Sequence, residues 1–212
     1  MAPMSLPEPS LSDAGAVGHD AALLARHGAS LLALARRSIA WHLAEGTTMA
    51  YPLSGQPHEL RARRAAFVTL SLEGRLRGCV GTPVAWRPLV EDVIDNAAAA
   101  AVKDMRFEPL ALAELEHVAI ALSLLSPPAP LAVESEEALI AELVPGRDGL
   151  ILSEGSCKAI FLPQVWEHLA EPRDFLAQLK LKAGLPETHW SRYLAFQRFT
   201  STSVAEPGAP RH

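Results

Sequence analysis

The residues most able to do chemistry in this sequence form one hexapeptide, LRGCVG at residues 76–81. The thiol of Cys79 lies two positions after the guanidinium of Arg77, and Gly78 and Gly81 flank it. Glycines weaken a strand and mark a bulge or a place where another group approaches the backbone. A nearby cation can lower the pKa of a thiol and raise its thiolate fraction. Because side chains alternate along a strand, we expect Arg77 and Cys79 on one face, with space beside the thiol.

The same hexapeptide also fits a structural role. In that interpretation Cys79 is a small buried hydrophobe, Arg77 is a surface charge, and the glycines serve packing. A catalytic role for Cys79 as a nucleophile would require a base near the thiol. No histidine is near the hexapeptide in sequence, so the fold would have to bring one of four distant candidates, His42, His58, His117 or His168.

Elsewhere the sequence contains few features that would indicate a metal site, a phosphate-binding loop or a redox centre. The eight histidines are scattered, and no pair has the i, i+4 helical spacing of a metal site with a matched acid. The sequence contains no G-x-x-x-x-G-K-S/T loop and no G-x-S-x-G elbow. Two distant cysteines, Cys79 and Cys157, cannot supply an iron–sulfur centre. We therefore predict no metal and no cofactor.

Charge and composition narrow the class of protein. The net charge of -5 provides no overall positive field for nucleic acid, and the one tight basic cluster is Arg61, Arg63 and Arg64. The first residues lack the basic and apolar segments of a signal peptide. No apolar run approaches the roughly 20 residues that span a bilayer. Together with the sparse cysteines, these features predict a cytoplasmic protein that does not associate with a membrane.

Hydrophobic spacing predicts the elements that would position the hexapeptide. Apolar residues recur at intervals of three and four from Leu32 to Leu43, along a helix predicted over 21–45 in which Gly28 is expected to break or kink the first turns. Strict alternation predicts a half-buried strand over 118–125. The other predicted strands are 67–72, 75–80, 150–153, 156–162 and 192–200, and the other predicted helices follow Pro88 and Pro163 or cover 135–143 and 174–183.

The two halves of the chain repeat one pattern. Each contains an apolar strand, a Glu-Gly turn, a cysteine-bearing strand, a Pro-x-x-Trp segment and a helix, so Pro83 to Trp86 matches Pro163 to Trp166. Glycine at the second turn position favours a tight hairpin in each half. We predict an α+β fold with a mixed or antiparallel sheet and flanking helices, with a duplicated β-hairpin-plus-helix unit as a hypothesis. The predicted boundaries are a flexible tail at 1–18, one domain at 19–206 and a flexible tail at 207–212. The four tryptophans are expected in core or rim packing.

The hexapeptide also carries a family resemblance. It closely resembles the Leu-Arg-Gly-Cys-Ile-Gly signature of the AMMECR family, with Val80 in place of isoleucine. Further segments resemble that family's in the same order: FVTL at 67–70, DMRFEP at 104–109, LLSPP at 124–128, GRDGL at 146–150, FLPQVW at 161–166 and KAGLP at 182–186. The resemblance covers residues 25–206 and extends to the prokaryotic form called AmmeMemoRadiSam system protein A.

The resemblance implies an α+β fold and a system shared with a Memo-like protein and a radical SAM protein, but no demonstrated reaction. The ligand-binding residues that it suggests, in a polar recess around Cys79, are Arg77, Gly78, Cys79, Gly81, Lys103, Asp104 and Arg106. In the alternative, Asp104 and Arg106 form a structural ion pair that closes a helix end, while Phe107 packs in the core. Members often carry a cysteine where this chain has Lys180, so a second thiol is absent there.

The favoured function is therefore an accessory protein of unknown reaction. It would bind a small molecule, or a Memo-like or radical SAM partner, through the LRGCVG segment. A cysteine-dependent enzyme that uses Cys79 as its nucleophile is the first alternative. A nucleic-acid-binding protein is the last.

Overall fold

The structure is a computed structural model that describes the backbone of residues 11–209 and the side chains of residues 18–209. The two tail predictions fall in part on residues 1–10 and 210–212, which lie outside the described residues. The α-helices are α1 (Leu11–Glu45), α2 (His58–Arg61), α3 (Leu89–Val102), α4 (Glu136–Glu142) and α5 (Pro172–Lys182). The strands are β1 (Ala65–Leu72), β2 (Arg75–Gly81), β3 (Val118–Leu125), β4 (Ala129–Leu131), β5 (Gly149–Glu154), β6 (Cys157–Phe161), β7 (Ala195–Phe199) and β8 (Ser201–Ala205). Short 3₁₀ helices lie at Leu112–Glu114 and Pro163–Glu167.

The described chain forms two compact units, each with its own four-stranded sheet. The larger unit comprises residues 18–125 and 202–209, and the smaller unit comprises residues 126–201 together with residues 11–17 of the described backbone. The strand order is β2-β1-β3-β8 in the larger unit and β4-β7-β5-β6 in the smaller one. Strand β1 runs antiparallel to both β2 and β3, and β5 runs antiparallel to both β6 and β7. The predicted α+β class is confirmed.

The core of the larger unit lies on one face of its sheet. Val68 and Leu70 of β1 are fully buried there, and Ile120 and Leu122 of β3 continue the same apolar layer. Alternation along each strand places these side chains on one face, and apolar residues of α1 and α3 cover them. Helix α3 packs directly on β1 and β2. The hexapeptide therefore lies on a strand, β2, that packs against α3.

Helix α1 is longer and more regular than the sequence suggests. It begins at Leu11 rather than near residue 21, and it continues through Gly28 without a break. Its buried residues Leu31, Ala35 and Ile39 lie one turn apart, which confirms the predicted apolar stripe. A Cβ at Gly28 would lie 3.0 Å from a methyl carbon of Val204 in β8. The glycine therefore permits close packing of α1 on β8, which is why it does not act as a helix breaker.

The β1–β2 hairpin has the predicted tight turn and an unpredicted bulge. Glu73 and Gly74 both have positive φ, 52° and 75°, as a two-residue hairpin turn with φ > 0 at both central positions requires. The register then shifts between Leu70 and Ser71, because Leu70 faces Gly78 while Ser71 faces Leu76. Strand β2 therefore contains one more residue than β1 opposite this point. The shift removes the simple alternation on which the expected position of Arg77 rested.

The duplicated pattern is present in the strand order of the two units. In each unit a hairpin is followed by a helix and then by a strand that pairs with the first hairpin strand, giving β2-β1-β3 and β6-β5-β7. The fourth strand differs between the two sheets. In the larger unit it is β8, which follows the hairpin, helix and strand in sequence, whereas in the smaller unit it is β4, which precedes them. The matched tryptophans also differ, because Trp166 is 4% exposed and stacks on Phe175 at 3.8 Å, whereas Trp86 is 57% exposed. Of the core or rim positions expected for the tryptophans, Trp166 thus occupies the core, whereas Trp86 lies at the surface with Arg87 over its ring.

The end of the chain contains more strand than expected. The segment predicted as one strand over 192–200 forms β7, and the chain continues after Thr200 into a further strand, β8, that was not predicted. The proline-rich segment after β3 also forms the short strand β4. Among the described residues, no helix is long and apolar enough to cross a bilayer.

Candidate functional site

The site is built around Cys79 on β2, an edge strand of the larger unit. Cys79 lies opposite Thr69 of β1, and the Thr69 hydroxyl donates a hydrogen bond to Sγ of Cys79 over 3.3 Å. The backbone N–H of Cys79 donates to Oδ2 of Asp104 over 2.8 Å, in the segment that follows α3. Cys79 as a residue is partly buried. The fold therefore joins Cys79 and Asp104, which are 25 residues apart in sequence.

Asp104 and Arg106 form a two-pronged ion pair next to Cys79. Nε and one terminal nitrogen of Arg106 donate to the two carboxylate oxygens of Asp104 over 2.9 and 2.6 Å. The Arg106 guanidinium is the main reason that the pKa of Asp104 lies far below its ordinary value, and the same contact raises the pKa of Arg106. The ion pair of the structural alternative is thus present. It also fixes the carboxylate that accepts the hydrogen bond from the Cys79 amide.

The structure places the other predicted cations elsewhere. Arg77 donates to the carboxylate of Glu114 over 3.1 Å from two nitrogens, and to the backbone carbonyl of Glu108 over 2.8 Å. It is therefore engaged by the segment that follows α3. The cation that acts electrostatically on the Cys79 thiol is Arg106. Lys103 is exposed at the end of α3 and makes no ion pair within the described part of the chain.

The two glycines of the hexapeptide permit close contacts. A Cβ at Gly78 would lie 2.2 Å from the backbone oxygen of Ala100 in α3, and a Cβ at Gly81 would lie 2.1 Å from the ring of Phe67. Such distances are shorter than any non-bonded contact that a folded chain tolerates. The space expected around Cys79 is therefore filled by a helix backbone on one side and an aromatic ring on the other. The glycines bring β2 onto α3 and Phe67 over the strand end.

The environment of Cys79 keeps the thiol protonated. Burial raises the pKa of Cys79 above its ordinary value, and this effect exceeds the opposing influences of the Thr69 hydroxyl and the Arg106 charge. A thiol with a raised pKa has a small thiolate fraction at neutral pH, and the thiolate is the nucleophilic form. The sequence-based expectation of an activated thiol therefore gains no support from the electrostatics.

We expect the reactivity of Cys79 to rise with pH later than that of an unperturbed thiol. Because a raised pKa leaves less thiolate at each pH, alkylation by iodoacetamide should be slow at neutral pH and reach its midpoint at a higher pH than in the unfolded chain. The measurement follows Cys79 in a Cys157→Ser background, native and in guanidinium. A native midpoint at or below that of the unfolded chain would contradict the assignment.

Three exposed apolar side chains lie on β2 or on the segments hydrogen-bonded to it. Met105, between Asp104 and Arg106, is 99% exposed, and Leu112, in the 3₁₀ helix that ends at the Arg77 partner Glu114, is also exposed. Leu76 of β2 is 44% exposed. We name Leu76, Cys79, Met105 and Leu112 the β2 edge surface. Sequence reasoning missed this surface because nothing in the pattern DMRFEP distinguishes an exposed methionine from a buried one.

The remaining candidates of the sequence have other roles. Arg64 donates to the buried carboxylate of Asp20 over 2.8 Å, which leaves Arg61 and Arg63 in the predicted basic cluster. No histidine contacts Cys79 among the described side chains. Within the same residues, no group of three or more histidine, cysteine, aspartate or glutamate side chains could hold a metal ion.

Lys180 occupies the position where a cysteine was expected from the family resemblance. Its side chain is 0% exposed, and Nζ donates to Glu136 over 2.6 Å and to the backbone carbonyl of Glu187 over 2.9 Å. The ammonium also lies 5.8 Å from the centre of the Trp190 ring. This buried lysine links α5 to α4 and to the chain that follows α5. Because its ammonium is engaged in these contacts, it is not available to bind a metal or another molecule.

The architecture and the comparisons agree on the class of this protein. It is an α+β protein with two antiparallel sheets, whose edge strand β2 carries a cysteine-containing signature. The AMMECR1 family model matches residues 32–204, and the chain belongs to that family. A relative from Methanothermobacter thermautotrophicus is 40% identical over 162 residues, which cover 75% of this chain and 83% of the relative. Protein PH0010 of Pyrococcus horikoshii is 37% identical over 173 residues, covering 77% of this chain and 81% of that protein.

A solved structure supports the fold over most of the chain. The crystal structure of the uncharacterised protein PH0010 matches with a TM-score of 0.76 at 35% identity, and the match covers 84% of this chain and 90% of that one. The sequence-based family identification is confirmed. These relatives carry no named activity.

Proposed function

We propose that this chain is a non-enzymatic binding protein that contacts a partner protein through the β2 edge surface. The observation that carries the proposal is the exposure of Met105 in the very turn that holds the Cys79 amide, with Leu76 and Leu112 exposed on the adjoining segments. Hydrogen bonds from Cys79 to Asp104 and from Arg77 to Glu114 join the three segments that carry these residues. Isolated exposed apolar residues are ordinary on soluble proteins, so the proposal treats the three as one interaction site because their segments are joined.

The chemistry of the site supports binding over nucleophilic catalysis. A protonated thiol is a poor nucleophile, and the described side chains around Cys79 provide a hydroxyl, a carboxylate and a guanidinium but no imidazole base. The Asp104–Arg106 ion pair gives the apolar surface a polar neighbour, as is typical of protein interfaces. The cysteine-dependent enzyme is therefore the weaker alternative.

The resemblance to AmmeMemoRadiSam system protein A suggests which partners to test. They are a Memo-like protein and a radical SAM protein, and any radical chemistry would belong to the latter. The two free cysteines, Cys79 and Cys157, fit a reducing cytoplasm, where such partners would be met.

We expect a charge placed on the β2 edge surface to weaken partner binding. Leu76→Glu and Met105→Glu should each raise the Kd for the partner by about tenfold or more, because an unpaired carboxylate would be desolvated in an apolar contact. The Kd is measured by biolayer interferometry against the Memo-like and the radical SAM protein of the native host, immobilised separately.

Leu181→Glu is the matched control for Leu76→Glu. Leu181 is also 44% exposed but lies on α5, in the smaller unit, whereas β2 belongs to the larger unit. Circular dichroism melting curves establish that all variants are folded. Equal losses of affinity in Leu76→Glu and Leu181→Glu, or no binding to either partner by the unmodified chain, would refute the proposal.

A further inference from the structure

Met105 is an unusually accessible sulfur for a folded protein. Its side chain is 99% exposed, whereas Met49, the other methionine whose side chain the structure describes, is 8% exposed and packs in the core of the larger unit. Oxidation of a thioether requires that the oxidant reach the sulfur. Met105 therefore meets this requirement without any opening of the fold, and Met49 does not.

The backbone around Met105 is fixed by several contacts. The N–H of Phe107 donates to the backbone oxygen of Asp104 over 3.0 Å, and the N–H of Arg106 donates to the Asp104 side chain over 3.2 Å. The two-pronged ion pair joins the residues on either side of Met105. The Asp104 carboxylate is in turn bound to the Cys79 amide. Met105 is thus presented at a constant place on the β2 edge surface.

We infer that Met105 is an oxidative modification site, and that its conversion to methionine sulfoxide weakens partner binding at the β2 edge surface. The oxidant is a peroxide such as hydrogen peroxide. The thioether sulfur donates a lone pair to one peroxide oxygen, and the O–O bond breaks. The leaving hydroxide takes the proton of the transferred hydroxyl group, which gives the sulfoxide and one water. The sulfur loses two electrons and the peroxide gains them. A methionine sulfoxide reductase, with a thiol reductant, reverses the step.

The effect on binding follows from the change in polarity. Oxidation turns a flexible apolar side chain into a polar one with a strong hydrogen-bond acceptor. Burying that acceptor against an apolar partner surface without a donor weakens the complex. This regulatory role rests on the proposed function, whereas the selective oxidation of Met105 does not.

The test treats the full chain with dilute hydrogen peroxide and follows each methionine by peptide mass spectrometry. The Met105 peptide should gain oxygen about ten times faster than the Met49 peptide, since exposure controls access. The same samples are then measured against the immobilised Memo-like and radical SAM proteins. Peroxide should raise the Kd of the unmodified chain about tenfold, and methionine sulfoxide reductases A and B with dithiothreitol should restore it, while dithiothreitol alone should not.

Met105→Leu is the decisive variant, compared with its own untreated sample. Because leucine has no sulfur to oxidise, its Kd should not change on peroxide treatment. Equal oxidation rates at Met105 and Met49 would overturn the modification site. A loss of affinity in peroxide-treated Met105→Leu equal to that of the unmodified chain would overturn the regulatory role. Absence of binding by the untreated chain would overturn the proposed function and with it the regulation, while the oxidation rates would still decide the modification site.

Discussion

Replacing Gly78 by alanine should lower the free energy of unfolding by about 3 kcal/mol or more, near the upper end for overpacked cores. The added Cβ would lie 2.2 Å from the backbone oxygen of Ala100. Because that oxygen belongs to the backbone of α3, no side-chain rotation can relieve the clash, and the helix or the strand must shift. Urea denaturation, with the midpoint and the slope compared with those of the unmodified chain, measures the loss.

Two further glycines serve as controls for this experiment. The Cβ added in Gly81→Ala would clash with the ring of Phe67 rather than with backbone. Because the ring can rotate, the loss of unfolding free energy should be smaller than in Gly78→Ala. Gly18 occupies an exposed position of α1, and no atom lies within 4 Å of a Cβ added there. Gly18→Ala should therefore be neutral or stabilising by up to about 1 kcal/mol. A Gly78→Ala protein as stable as Gly18→Ala would show that β2 does not lie against α3 as described.

Asp92→Ala should reduce the free energy of unfolding by about 3–5 kcal/mol, as expected when a buried ion pair loses one partner. Asp92 is fully buried at the start of α3. Its carboxylate accepts hydrogen bonds from the Ala66 N–H over 3.0 Å, the Thr82 hydroxyl over 2.9 Å, Nε of Arg87 over 2.7 Å and the Asn96 amide over 3.0 Å. Truncation leaves all four donors without this acceptor. Burial raises the pKa of Asp92 despite these bonds, which shows that desolvation of the carboxylate is costly.

Asp95→Ala is the matched control, because Asp95 pairs with the same Arg87 from a partly exposed position. An exposed ion pair contributes up to about 1 kcal/mol, so this variant should be clearly more stable than Asp92→Ala. Both are measured by urea denaturation at neutral pH. Equal losses for the two substitutions would mean that the buried network does not hold β1, β2 and α3 together.

Much of the fold follows from local patterns that act within one element. The tight hairpin turn was predictable from glycine at the second turn position, and the buried stripe of α1 was predictable from its spacing, whereas positive φ at Glu73 was not predicted. The bulge opposite Leu70 was not predictable either, because register depends on the partner strand as much as on the strand itself. The continuation of α1 through Gly28 depends on Val204, 176 positions later in the sequence, which no local rule considers.

The residues of the candidate site were more predictable from the sequence than the contacts between them. The sequence and the family resemblance selected Cys79, Asp104 and Arg106, and the structure brings these three together. It separates Arg77 from them, because Glu114 and the carbonyl of Glu108 provide partners that the hexapeptide alone could not reveal. Exposure of Met105 is likewise a property of the folded turn. Residue type identified the chemical groups, and long-range contacts determined which of these groups lie together.

The hydrogen bond from the Cys79 amide to Asp104 also limits how another chain can join this sheet. Among the strands of residues 11–209, none pairs with the outer side of β2, and such an edge normally offers unpaired N–H groups to a further strand. Asp104 occupies one of these donors with a carboxylate that is itself held by Arg106. An incoming strand would have to displace this ion pair. Pairing of another strand is therefore disfavoured at Cys79, and the proposed partner would contact side chains there rather than add a strand.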